Sequence, residues 1–181
     1  MKKLIDRCYE QGKNIQHDKS YSFRMNVLKE FLGEEKNSVS VGCGAFEPVF
    51  LNIPYCCDIA PEAETYLAKQ GYQGKFIYGD VRDIPYSNKK FKIAVCSEVI
   101  EHLNAEGDVV LAFHELNRIS ESWLITTPCV KVPEPTHNFV FTEEQLKRLA
   151  APLKIAIIKK DICFFISNDE RKLNSIVSLQ P

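Results

Sequence analysis

Val39-Ser40-Val41-Gly42-Cys43-Gly44-Ala45-Phe46-Glu47 reads as a buried strand that runs into a glycine turn and then a short helix. Gly42 and Gly44 give the backbone freedom and leave no side chain in the way, so a ligand can lie against the main chain there. In an open parallel sheet, ligands bind beyond the carboxyl ends of the strands, where the strand order reverses. A dinucleotide is the first ligand to consider, and the stretch argues against it. Its pyrophosphate asks for a third glycine, which would fall at position 47, and for an anion-friendly helix start. Glu47 stands there instead. A carboxylate at that point repels a pyrophosphate and attracts an ammonium group.

Downstream, Tyr55 to Ile59 forms a second short strand ending in Asp58. So few residues separate it from Gly44 that the intervening helix must be very short. An acidic side chain at this strand end can accept hydrogen bonds from both hydroxyls of a ribose. The alternative is a helix-capping aspartate, but Ala60-Pro61 already opens the next helix, with Pro61 at its first position and Gly71 as its end, so the ribose reading is preferred. A third strand covers Lys75 to Gly79, with Asp80 just past it. That carboxylate can accept from an exocyclic adenine amine while the amide of Val81 meets a ring nitrogen, or it can simply start a turn.

Phe91 to Cys96 is almost continuously apolar, as expected of a central parallel strand buried on both faces. It delivers Ser97 and Glu98 to the rim of the site. Glu98, Glu101 and His102 then share a face if this stretch is helical, a geometry that can hold a metal with His137 as a further nitrogen ligand. Asn104 is placed to cap the next helix, whose inner face carries Val109, Ala112, Phe113 and Leu116. Trp123 to Thr127 makes a fifth strand ended by Pro128. The loop from Cys129 to Val140 holds Pro133, Pro135, His137 and Asn138, and should wall the substrate side. Thr142-Glu143-Glu144-Gln145 is a capping box opening a helix to Ala150. Lys154–Lys160 and Ile162–Ser167 form a hairpin around Lys160-Asp161. The tail from Asn168 reads as polar and frayed.

Ahead of the first strand, Phe23, Val27, Leu28 and Phe31 recur at helical spacing, with Gly33 as the stop. Lys2, Lys3, Arg7, Lys13 and Lys19 make the N-terminal end locally basic, with Tyr9 and Tyr21 among them. That is a solvated helix face or a cover over the pocket. The 181 residues form one domain: an N-terminal helical segment (1–37), an α/β core (38–167) and the tail (168–181). A net charge of −1 gives no global attraction to nucleic acid or anionic membrane. No apolar run approaches membrane-spanning length and the start lacks a signal-peptide core. The seven cysteines, scattered and without a Cys-x-x-Cys pair, read as reduced thiols of a cytoplasmic protein.

From Ser38 to about Pro128 the chain resembles a small class I S-adenosylmethionine-dependent methyltransferase of the type 11 kind. The resemblance rests on Val41-Gly42-Cys43-Gly44, Cys57-Asp58-Ile59 with Pro61-Glu62, and Gly79-Asp80-Val81-Arg82-Asp83-Ile84-Pro85. It continues through Phe91, Ser97-Glu98-Val99-Ile100-Glu101-His102-Leu103 and Thr126-Thr127-Pro128. Two positions depart from the pattern: Ser40 where the family often has an acid, and Phe46 where it often has glycine. The resemblance implies a Rossmann-like three-layer α/β/α sandwich, with a mostly parallel seven-stranded sheet and an antiparallel C-terminal strand. It implies S-adenosylmethionine held by Gly42, Gly44, Glu47, Asp58, Ile59, Asp80, Val81, Ser97 and Glu98, with Asp58 on the ribose and Asp80-Val81 on adenine. Some relatives hold a divalent ion with such a Glu-x-x-Glu-His group, among them small-RNA 2′-O- and ubiquinone-type O-methyltransferases. Many others with the same run hold none, and no metal is assigned from sequence.

A sulfonium makes its methyl group electrophilic, so the protein must line up the acceptor for in-line displacement. Oxygen or nitrogen acceptors also need a base, for which His102 is the first candidate and His137 the second. The acceptor's class is not encoded in these motifs, because one scaffold carries many substrates. A non-catalytic, cofactor-binding partner subunit is the alternative from another class. Hydride transfer is disfavoured for the reason given at Glu47.

Overall fold

The computed structural model describes residues 19–177. The basic, tyrosine-containing stretch before Lys19 lies outside them. The chain folds as α1 (Lys19–Leu32), β1 (Ser38–Val41), α2 (Glu47–Phe50), β2 (Tyr55–Asp58), α3 (Glu62–Lys69), β3 (Lys75–Tyr78) and β4 (Phe91–Ser97). A 3₁₀ turn (Ile100–His102) leads to α4 (Glu106–Ile119) and β5 (Ser120–Pro128). Then come α5 (Glu143–Ala150), β6 (Ala156–Lys160), β7 (Cys163–Ser167) and α6 (Glu170–Val177).

The seven strands form one sheet in the order β3-β2-β1-β4-β5-β7-β6. β1 to β5 are parallel, and β7 runs antiparallel between β5 and β6. Strand order reverses between β1 and β4, which places a ligand-binding crevice over their carboxyl ends. All four residues of β1 are buried, and along β4 only Lys92 is exposed, as a strand covered on both faces requires.

The register sends alternate residues to opposite layers. Val39, Val41, Ala94, Cys96, Trp123 and Ile125 pack against α4 and α5. Ile93, Val95, Leu124 and Phe165 face the other way, against Val27, Leu28 and Phe31 of α1 and Leu173 and Ile176 of α6. Cys56 and Leu67 extend that second layer beneath α3. This is the three-layer architecture that the sequence motifs imply. No helix among the described residues is long and apolar enough to cross a membrane.

Four local readings need correction. The tail does not fray throughout: Glu170–Val177 is helical, and Leu173 and Ile176 are buried where the polar composition hid a two-residue apolar stripe. Asn104 does not cap α4; Ala105 occupies the cap position and no side chain accepts there. Pro61 is the cap residue of α3, one position before the helix proper. Glu98 is not helical, for reasons that shape the site. The capping box at α5 forms as read, with Thr142 accepting from Gln145 and the Gln145 side chain from Thr142.

Candidate active site

The carboxyl ends of β1 to β4 enclose a cavity of about 350 Å³. Its wall includes Gly42, Gly44, Asp58, Ile59, Asp80, Val81, Glu98 and His102, so eight of the eleven residues singled out from sequence converge there. Glu47, Ser97 and His137 are not on that wall. The first two lie behind the glycine turn, and His137 stands outside, against His102.

Gly42 is required twice over. Its φ is +69°, and a Cβ there would stand 2.3 Å from Val99 Cγ2. The turn is pinned by its own amides, since Gly42 and Cys43 both donate to the Cys57 carbonyl at 2.8 and 3.3 Å. Asp58 completes the clamp: Oδ2 accepts from the Gly44 amide at 2.9 Å and Oδ1 from the Ala60 amide at 2.8 Å. The carboxylate is thus both a brace for the glycine turn and a cap ahead of α3. Asp58 also lines the cavity, where its carboxylate retains acceptor capacity. Burial raises the Asp58 pKa, opposed by the amide bonds from Ala60, Gly44 and Ile59.

Asp80 is held by a residue the sequence reading passed over. Arg82 donates its backbone amide and Nε to Asp80 Oδ1, both at 2.9 Å, and Nη2 to Oδ2 at 2.6 Å. Arg82 Nη1 also reaches Asp108 on α4 at 2.9 Å. The guanidinium hydrogen bonds lower the Asp80 pKa, keeping it an ionised acceptor at the cavity wall.

Beneath the turn lies a polar cluster. Ser40 donates to Glu47 Oε1 at 2.6 Å, which explains why a serine suits the position where the family often has an acid. Burial pushes the Glu47 carboxyl up to about 7, against the lowering effects of the Ser40 bond and the Arg24 charge. Arg24 reaches in from α1 and pairs with Glu98 Oε2 at 3.3 Å. Glu98 Oε1 accepts from the Thr126 hydroxyl at 3.1 Å. Arg24 was not foreseen, because one arginine on an amphipathic helix gives no sign of which way it points.

At Glu98 the backbone turns left-handed, with φ +55°, and its amide donates to the Thr126 carbonyl at 3.0 Å. This kink separates Glu98 from the residues that follow. Glu101 points inward, wholly buried, with Oε2 accepting from Thr127 at 3.0 Å while Oε1 has no hydrogen-bond partner among the described residues. Its pKa is raised, first by burial and then by the Glu98 charge. His102 goes outward to the cavity. Glu98, Glu101 and His102 therefore do not share one face.

The loop after β5 folds back over the 3₁₀ turn. The amides of Asn138 and Phe139 donate to the Glu101 carbonyl at 2.8 and 3.2 Å, and the Asn138 side chain donates to the carbonyls of His102 and Leu103. This sets the His137 ring edge-on to His102, with centroids 4.7 Å apart. His102 Nδ1 lies 3.0 Å from the Thr136 carbonyl, which can only accept, so Nδ1 carries a proton and, in the neutral ring, Nε2 carries the lone pair. Desolvation, followed by repulsion from His102, lowers the His137 pKa. Glu101, His102 and His137 offer ligand atoms within 4.8 Å of one another.

A sheet with this strand order, carrying a glycine turn and two strand-end carboxylates around one cavity, defines the class I methyltransferase fold. Residues 39–122, a little under half of the chain, match the family model described as a methyltransferase domain, and the fold is the one class I S-adenosylmethionine-dependent methyltransferases share. S-adenosylmethionine is the methyl donor that such a domain uses. Solved structures share the fold. A possible histamine N-methyltransferase from Thermotoga maritima superposes with a TM-score of 0.65 at 15% identity, over 92% of this chain and 98% of its own. A TehB-like methyltransferase from Corynebacterium glutamicum gives 0.67 at 11% identity, over 92% and 98%. A methyltransferase from Clostridium acetobutylicum gives 0.66 at 11%, over 88% and 98%. No curated protein matches the chain.

Proposed function

We propose that this chain transfers the methyl group of S-adenosylmethionine to an oxygen or nitrogen nucleophile that enters beside His102 and His137. The observation that carries the reading is the state of His102. Its Nδ1–H is tied to the Thr136 carbonyl, so the lone pair on Nε2 is the one available on a ring that lines the cavity. A neutral imidazole held in that orientation is a general base for an acceptor losing its proton.

When bound, the sulfonium supplies the electrophilic methyl group. The chain supplies the rest. Asp58 braces the glycine turn and keeps lone pairs for ribose hydroxyls; Asp80, charged and fixed by Arg82, accepts from the adenine amine beside Val81. Glu98 places negative charge near the amino-acid end, part of it offset by Arg24, while Glu47, with its carboxyl raised to about 7, adds only a partial charge from behind the glycine turn. Positioning accounts for most of the rate such a site can deliver. The six described cysteines, all free, support a reducing, cytoplasmic setting.

The test is release of S-adenosylhomocysteine over a panel of small-molecule, peptide and RNA acceptors. With an acceptor in hand, His102→Gln should lower kcat by roughly 10²-fold or more while cofactor affinity changes little. Full activity in His102→Gln removes the base assignment. Cofactor binding with no transfer to any acceptor favours a non-catalytic partner subunit.

A further inference from the structure

We propose that Glu101, His102 and His137 form a divalent-cation site, with Glu98 excluded from it. The inference rests on the methyl-transfer reading and narrows its acceptor to an oxygen. Two observations carry it. The three residues present one carboxylate and two imidazoles, with ligand atoms no more than 4.8 Å apart. Independently, Glu101 Oε1 is a wholly buried carboxyl oxygen with no hydrogen-bond partner among the described residues, although Oε2 of the same group is satisfied by Thr127. A polar oxygen buried without a partner is costly unless something binds it. Beside it stand two ring nitrogens and no side-chain donor that claims it.

The supporting contacts fit a ligand set. His102 donates Nδ1–H to the Thr136 carbonyl, the outer contact that fixes a ligating imidazole and leaves Nε2 for a metal. His137 is held by its neighbours, through the Asn138 side chain on the carbonyls of His102 and Leu103. An ion bonded at about 2.0–2.2 Å needs donor atoms roughly 3 to 4.4 Å apart, so the widest pair closes by about half an ångström. Two nitrogens and one oxygen favour a first-row divalent cation, Co²⁺ or Zn²⁺ most and Mn²⁺ less, over Mg²⁺ or Ca²⁺.

Glu98 is kept out by construction. Its left-handed backbone turns the side chain to Arg24 and Thr126, which occupy both of its oxygens. Three protein ligands leave coordination positions open, and His102 brings the cluster to the cavity wall. With a cation bound, an acceptor hydroxyl held at an open position would be more acidic, and His102, its Nε2 taken by the ion, would give up to the cation the role it plays alone as base. An aliphatic amine is protonated near neutral pH and cannot ligate a cation in that form, whereas a hydroxyl can, which is why the site points to oxygen.

The experiment is titration of metal-stripped full-length protein with Mn²⁺, followed by loss of the free-ion EPR signal and by calorimetry. One Mn²⁺ per chain is expected, with affinity weakened at least about tenfold in Glu101→Gln and in His137→Ala and changed less than about threefold in Glu98→Gln. Mg²⁺ should compete poorly. His137→Ala alters a half-buried loop residue, so it keeps the test decisive if Glu101→Gln fails to fold. No Mn²⁺ binding, or binding indifferent to both variants, overturns the site. Equal loss in Glu98→Gln overturns the ligand set. S-adenosylmethionine binding is measured on the same stripped protein: its presence without Mn²⁺ binding removes only the cation site, and its absence removes the methyl-transfer reading.

Discussion

Replacing Asp58 by alanine should cost both affinity and fold stability, by amounts that follow from its contacts. In the free protein, two backbone amides lose their acceptor, from Gly44 at 2.9 Å and Ala60 at 2.8 Å. Hydrogen bonds to a charged group contribute about 1.5–3 kcal/mol each, and exposure of one amide to water recovers part of that. The expected loss of stability is therefore about 2 to 3 kcal/mol. The cofactor loses its ribose acceptor and meets a glycine turn that is no longer braced. Together these should weaken S-adenosylmethionine binding by about 3 kcal/mol, or roughly a hundredfold. Asp58→Asn should fall between, since its amide oxygen replaces one acceptor and its NH₂ confronts the other donor. Equilibrium dialysis with labelled cofactor, on variants shown to be folded, reads this directly. Affinity in Asp58→Ala within about threefold of wild type would refute the brace and the ribose assignment together.

Gly42→Ala combines a positive φ with a Cβ 2.3 Å from Val99 Cγ2, and should destabilise the fold by about 2 to 4 kcal/mol in denaturant unfolding. Glu47 gives a pH signature. With its carboxyl at about 7 in the fold and at the ordinary 4.5 when unfolded, the native state holds the proton more tightly, so stability falls as pH rises through this window. Between pH 5 and 8, wild type should lose roughly 2 to 3 kcal/mol more than Glu47→Gln, read as unfolding midpoints across pH. Leu173→Ala should cost about 2 to 4 kcal/mol because the side chain is wholly buried between α6 and the sheet; an unchanged melting curve would mean α6 is not docked.

The order of elements was legible because burial on both faces writes itself as unbroken apolar runs, as in β4, and because Gly42, Asp58 and Asp80 each stand at a strand end. The short α2 followed from the few residues available between Gly44 and Tyr55. Partners that come from far along the chain were not legible. Arg24 meets Glu98 from another layer, and Thr127 reaches Glu101 from the neighbouring strand. The spacing of Glu98, Glu101 and His102 suggested one helical face, but a single left-handed residue at Glu98 overrides helical periodicity. The pairing of His102 with His137 could be raised from residue type alone, but the loop that makes it, folded back through Asn138, could not. The tail was misread because Leu173 and Ile176 are few among polar neighbours.

The central claim is that the cavity over β1 to β4 holds S-adenosylmethionine. Calorimetric titration of the wild-type protein with that cofactor tests it most directly. One cofactor should bind per chain, with a dissociation constant of about 1 μM to 1 mM. No saturable heat up to millimolar cofactor would contradict the account.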